Sequence, residues 1–101
     1  MQTPIQTLLR KIGQVTMHIA AMQNQAVSYY FACQLKNTAG FSSVNFMDLA
    51  YSAERYVKDS ADDFCKEDVT RLKSMASLFR QTDSALQDVL DESLRDYESD
   101  F

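Results

Sequence analysis

Glycine and proline are almost missing from this chain: Gly13, Gly40 and Pro4 are the only ones among 101 residues. A sheet protein needs turn residues every ~8–12 positions, so their scarcity excludes most β architectures and leaves helices. Histidine is reduced to His18, and a metal centre needs several ligands. Acidic residues are absent from residues 1–44, which carry only Arg10, Lys11 and Lys36. No apolar run reaches the ~20 residues that span a bilayer. The start, Met1-Gln2-Thr3-Pro4, lacks the charged, then continuously apolar form of a signal peptide. The acid-free N-terminal half has one trait of a transit peptide, but its regular apolar spacing argues against one. Cys33 and Cys65 show no disulfide or ligand spacing and read as free thiols. The expectation is therefore a cytoplasmic protein away from membranes.

What is present is ordinary globular composition, 46 % hydrophobic and 24 % charged, in a chain short enough for one domain over residues 1–101. Ile5, Leu8, Ile12, Val15, Ile19, Met22, Ala26, Tyr29 and Cys33 recur three and four residues apart. This spacing returns side chains to one line on a helix, the seam of a coiled coil or long bundle. It predicts helix 1 over about 4–36, with Thr3 as N-cap and Pro4 at the first helical position. Lys36 suits the C-terminal end of the dipole, and Gly40 marks the loop. A second stripe (Leu9, Gly13, Thr16, Ala20, Val27, Tyr30) lies beside the seam, and its small residues suit another backbone at close range.

Asn45 followed by Asp48 has the form of an N-cap and starts helix 2, about 46–60, with Phe46, Leu49, Ala50, Ala53, Tyr56 and Val57 inward. Helix 3, about 61–98, carries Val69, Leu72, Met75, Ala76, Phe79, Leu86, Val89, Leu90, Leu94 and Tyr97, thinned at Thr82 and Asp83. Ser60-Ala61-Asp62-Asp63 resembles a capping box and favours a break between helices 2 and 3. The alternative is one continuous helix through a stutter, since no Gly or Pro follows residue 41. A helix of about 33 residues is about 50 Å long, too long for a compact globule of this size. The expected fold is all-α and elongated: two long antiparallel helices plus one shorter helix. The apolar face left over would be buried in a homodimer, the commonest oligomer.

Catalytic patterns do not assemble. His18 has no acid or thiol within a turn, and His18-Ile19-Ala20-Ala21-Met22 lacks the later residues of a phosphotransfer H-x-x-K-G. Glu-x-x-His pairs, Gly-rich phosphate loops and G-x-S-x-G are absent. Cys65 lies among Asp62, Asp63 and Glu67, a poor setting for a nucleophile. Neighbouring acids such as Asp62/Asp63 diverge on a helix. No cofactor and no enzymatic activity are expected.

Two patterns remain. Eight of eleven aromatics (Tyr29, Tyr30, Phe31, Phe41, Phe46, Tyr51, Tyr56, Phe64) fall within 36 residues. Tyr29, Tyr30 and Phe31 are consecutive and point three ways on a helix. Phe31 falls opposite the seam, beside Asn24, Ser28 and Gln34, the uncharged company typical of protein interfaces. Tyr30, Phe31, Phe41 and Tyr51 are thus the candidate protein-binding residues; the competing reading is that the cluster is core only. Charge is the second pattern. Residues 45–101 hold seven bases against fourteen acids, and Asp83, Asp88, Asp91, Glu92, Asp96, Glu98 and Asp100 face only Arg95 near the end. Such a surface is either a solubilising helix end or an electrostatic lure for a basic partner. Direct nucleic-acid binding is disfavoured there, because phosphates need Lys and Arg. The function expected is an adaptor, chaperone or inhibitor that binds a partner protein as a helical homodimer. The alternative is an acidic mimic of nucleic acid that blocks a DNA- or RNA-handling protein, a role suited to a phage or mobile-element protein.

Overall fold

Among the described residues four helices follow one another in the computed structural model: α1 (Pro4–Ala21), α2 (Gln25–Lys36), α3 (Phe46–Ser60) and α4 (Lys66–Ser99). A 3-10 turn, Ala61–Asp63, joins α3 to α4. The backbone is described over residues 2–36 and 44–99, and side chains as far as Arg95. Among the described residues there is no strand. The fold is an all-α bundle measuring 56 × 27 × 20 Å, elongated as expected.

Local chemistry sets most of the boundaries. Thr3 caps α1: its hydroxyl accepts from Gln6 N–H at 3.2 Å, and Gln6 Oε1 accepts from Thr3 N–H at 3.0 Å. Two orphan donors are satisfied reciprocally. Asn45 caps α3 by accepting from Asp48 N–H at 3.1 Å. The break after Ser60 is present, but Ser60 makes no side-chain cap. Phe64, in extended conformation, ends the turn, and α4 starts at Lys66 rather than at residue 61.

The larger departure lies in the first 36 residues. The stretch expected as one helix over 4–36 is two, separated at Met22–Asn24. Met22 leaves the helical conformation at φ −58°, ψ 133°, and hydrogen bonds hold the break. Ile19 C=O accepts from Met22 N–H at 3.2 Å and from Ser28 Oγ at 2.8 Å. Asn24 Oδ1 accepts from Val27 N–H at 3.1 Å and so caps α2. Asp68, buried on α4, accepts from Gln23 N–H at 2.9 Å and Asn24 N–H at 2.8 Å. The Ser28–Ile19 bond folds the chain back, because nine residues of straight helix would hold those groups about 13 Å apart.

Cross-contacts give the topology. Lys11 meets Gln81 and Gln23 meets Asp68, so α1 runs antiparallel to α4. Glu54 meets Arg80, while Val57 and Lys58 face Lys73 and Ala76 across a groove, so α3 is antiparallel too. Between them α2 descends from Asp68 to Phe79, parallel to α4. The result is an up-down-up-down bundle in which α1 and α3 both pack along α4.

Its core comprises Leu8, Val15, Ile19, Met22, Val27, Phe31, Phe46, Leu49, Leu72, Met75, Phe79 and Leu86. Ala50, Ala53 and Ala76 let α3 approach α4 closely. Thr82 is buried and donates its hydroxyl to Leu78 C=O at 2.6 Å, so the turn that reads as weakly apolar is still core. Gly13, expected to admit a close neighbour, has nothing within 4 Å of where a Cβ would lie. Within the single chain that close approach does not occur.

The register also fixes where α4 outruns its neighbours. Carried to the helix ends, the 11/81 and 54/80 pairings put both Pro4 and Phe46 level with about residue 88. The last ~10 residues of α4, about 15 Å, extend past both helices.

Candidate protein-binding surfaces

The aromatic cluster is core first. Phe31 is 0 % exposed and stacks on Phe79, ring centroids 5.7 Å apart. Tyr30 and Tyr56 meet it edge-on at 5.1 and 6.0 Å, and Phe64 packs edge-on against Tyr56 at 6.1 Å, the arrangement that ring quadrupoles favour. Placing Phe31 on the surface is therefore wrong. The 3.5-residue seam cannot be extended through Met22–Asn24: the fold-back shifts the inward positions of α2 to Val27, Phe31 and Leu35. The seam members Ala26 and Tyr29 turn outward, and Cys33 is half-buried. Tyr29 lies on the surface beside Cys33, and the hydrogen bond to that thiol raises its pKa above 10.0.

Tyr30 is half-buried, with its hydroxyl 3.4 Å from Ser52 Oγ. It lines a polar cleft of about 270 Å³ between α2 and α3, with Arg55, Tyr56 and Asp59. Tyr51 stands exposed on the other flank of α3, with the Arg80 guanidinium 5.1 Å above its ring. Arg80 is fixed there by Glu54, 2.7 Å from Nη2 and 3.1 Å from Nε. Tyr30 and Tyr51 thus serve different flanks of α3 and do not form one patch. Phe41 lies outside the described residues.

Two grooves run along α4. One, between α3 and α4, has Val57 and Ala76 with Lys58, Lys73 and Arg80 around them, about 460 Å³. The other, between α1 and α4, is lined by Lys11, Gln14, His18 and Gln81, about 470 Å³. His18 meets no carboxylate or thiol in that groove. Among the described residues no three His, Cys, Asp or Glu side chains come together as a metal would require, and no helix is long and apolar enough to cross a membrane.

Asp68 is the polar residue that sequence reading missed. Its carboxylate is buried, and besides Gln23 and Asn24 it accepts from Arg71 Nη1 at 2.8 Å. Burial alone pushes its pKa up, but the two backbone donors and Arg71 outweigh that and hold it below 3.8. The only signal in the sequence was an acid among the apolar positions of α4, one turn before Leu72.

Uncovered apolar side chains are concentrated elsewhere. Among the described residues seven large ones are exposed, and five sit on α1 and the end of α4: Ile5 (55 %), Leu9 (52 %), Met17, Leu90 (39 %) and Leu94 (60 %). Leu90 and Leu94, expected as core, follow buried Leu86 at four-residue spacing but lie beyond the ends of α1 and α3. Asp88, Asp91 and Glu92 on the same segment are exposed and make no ion pair among the described residues. The side chains of Asp96 and Glu98, and Asp100 altogether, lie outside the described residues. Compared with known proteins, the chain matches no family model, no curated sequence and no solved structure.

Proposed function

We propose that this chain is a non-catalytic protein-binding module that works as a helical homodimer and engages a partner protein through its surface, as an adaptor, chaperone or inhibitor. One observation carries the reading: a bundle with a closed core of its own leaves Ile5, Leu9, Met17, Tyr29, Tyr51, Leu90 and Leu94 uncovered. Single exposed apolar residues are ordinary, whereas Ile5 and Leu9, and again Leu90 and Leu94, stand one helical turn apart as neighbouring pairs. Tyr29 and Tyr51 supply rigid, amphipathic contact area, and tyrosine is enriched where interfaces draw their energy. The test is capture from an extract of the source cells, comparing the native chain with Tyr29→Ala and Tyr51→Ala. Both variants keep native helicity, and a partner held by the aromatic flanks is lost from at least one; undiminished capture by both removes these tyrosines from the site.

A second reading rests on the unpaired acids Asp88, Asp91 and Glu92: a negative helix that imitates nucleic acid towards a basic protein. Long-range charge would then govern association, so affinity would fall steeply with salt. Binding indifferent to ionic strength, or to neutralising those three residues, sinks this alternative.

A further inference from the structure

The three residues that part α1 from α2 contain nothing that stops a helix. Met22, Gln23 and Asn24 include no Gly or Pro, and apolar residues keep their three- and four-residue spacing through them, from Ile19 and Met22 to Ala26 and Tyr29. What holds them out of a helix lies on another element: Asp68 of α4 accepts from the N–H groups of Gln23 and Asn24. In one continuous helix those two donors would bond instead to the Ile19 and Ala20 carbonyls, four residues back. The same backbone groups can thus be satisfied in two ways, and only one of them needs Asp68.

The position of α1 also owes little to α2, because α1 packs mainly along α4. On a straight helix the inward residues of α1 (Leu8, Val15, Ile19) and of α2 (Val27, Phe31, Leu35) would lie about 140° apart at 3.6 residues per turn. Such a helix cannot turn both sets into one core. It can serve two bundles, one with each half.

We infer that Asp68 is a latch on α1: when it is released, α1 and α2 straighten into one helix over residues 4–36, and α1 takes the place beside α4 that the α1 of a second copy has left. The geometry closes under two-fold symmetry. Because α2 runs parallel to α4, straightening carries α1 past the Asp68 end of its own bundle. A two-fold axis at that end, perpendicular to the bundle, sets a second α4 there running the opposite way, antiparallel to α1 as within one chain. The helix then makes with the second α4 the contacts it makes with its own, so identity alone fixes what fills the vacated place. Exchange of an identical element is a low-cost route to a dimer, and a short hinge invites it. Since it reuses contacts of the single chain, the exchange goes beyond the homodimer proposed above and does not depend on it.

The test uses full chains with Cys33→Ala and Cys65→Ala, unfolded in urea and refolded together at high concentration. Lys11→Cys and Gln81→Cys are carried on separate chains, because Lys11 Nζ lies 2.6 Å from Gln81 Oε1 between α1 and α4; bismaleimidoethane then joins the two thiols. The expected product is a covalent dimer with one chain of each kind. Adding Gln25→Pro to both chains should lower its yield roughly tenfold or more, since proline suits the first position of α2 but is disfavoured inside a straight helix. A dimer joined equally well with Gln25→Pro is paired by surfaces and overturns the exchange, as does a mixture that gives no mixed product; partner capture by either preparation is unaffected by that outcome. Asp68→Asn on both chains should raise the yield, and Gln25→Pro should remove the gain. A folded Asp68→Asn pair that joins no better than its parent overturns the latch, and the Gln25→Pro comparison decides the exchange even where the Asn variant does not fold.

Discussion

Asp68 does the most for its size. One carboxylate, buried on α4, terminates the fold-back between α1 and α2 by accepting two consecutive backbone N–H groups and an arginine. Hydrogen bonds to a charged group contribute about 1.5–3 kcal/mol each, and stranding buried donors costs comparably. Asp68→Asn, which turns an amide N–H towards donors, should lower stability by about 3 kcal/mol, read from urea unfolding followed by circular dichroism. The pH dependence follows from the direction of the shift. A carboxyl held below 3.8 when folded stabilises the fold above about pH 4 and loses that contribution as the pH falls through its lowered value. The Asn variant should show a flatter loss of stability over that acid range. Gly13 is the opposite kind of residue, a helix-interior glycine with nothing above it. Gly13→Ala should add about 1 kcal/mol, read from urea unfolding followed by circular dichroism.

At the scale of the element, the helical periodicity was legible and its interruption was not. Thr3, Pro4, Asn45 and Lys36 sit at the boundaries their chemistry predicts. The break at Met22–Asn24 has no Gly or Pro to announce it. Its only local sign is Asn24, an N-cap residue inside a continuous apolar pattern, and its main support comes from Asp68, 44 residues away. That non-local carboxylate is why Phe31 reads as outward in the sequence and is buried in the structure: the turn resets the phase of every position after it. Phe31→Ala should therefore cost about 3–5 kcal/mol, whereas Tyr51→Ala should cost less than about 1 kcal/mol, the worth of an exposed cation–π contact. Thermal unfolding of the two variants side by side separates core from surface. Of the candidate binding residues among those described, Tyr51 keeps the exposed position expected of it, while Tyr30 is half-buried and Phe31 buried. Leu90 and Leu94 go the other way, from expected core to surface, because their burial depends on how far α1 and α3 extend along α4, which periodicity does not encode.

For the whole molecule, the two halves of the chain differ in charge, and the fold packs them side by side, α1 along α4. The acid-free α1 and the acidic end of α4 lie at the same end of the bundle, where α4 runs on past its neighbours with apolar side chains bare. An isolated chain in this form leaves Leu90 and Leu94 exposed at one end, and the homodimer proposed above would cover such a surface. Multi-angle light scattering across a wide concentration range tests this most directly. The account predicts a species of twice the 11.5 kDa chain mass that dissociates on dilution; an 11.5 kDa monomer persisting to hundreds of micromolar would contradict it.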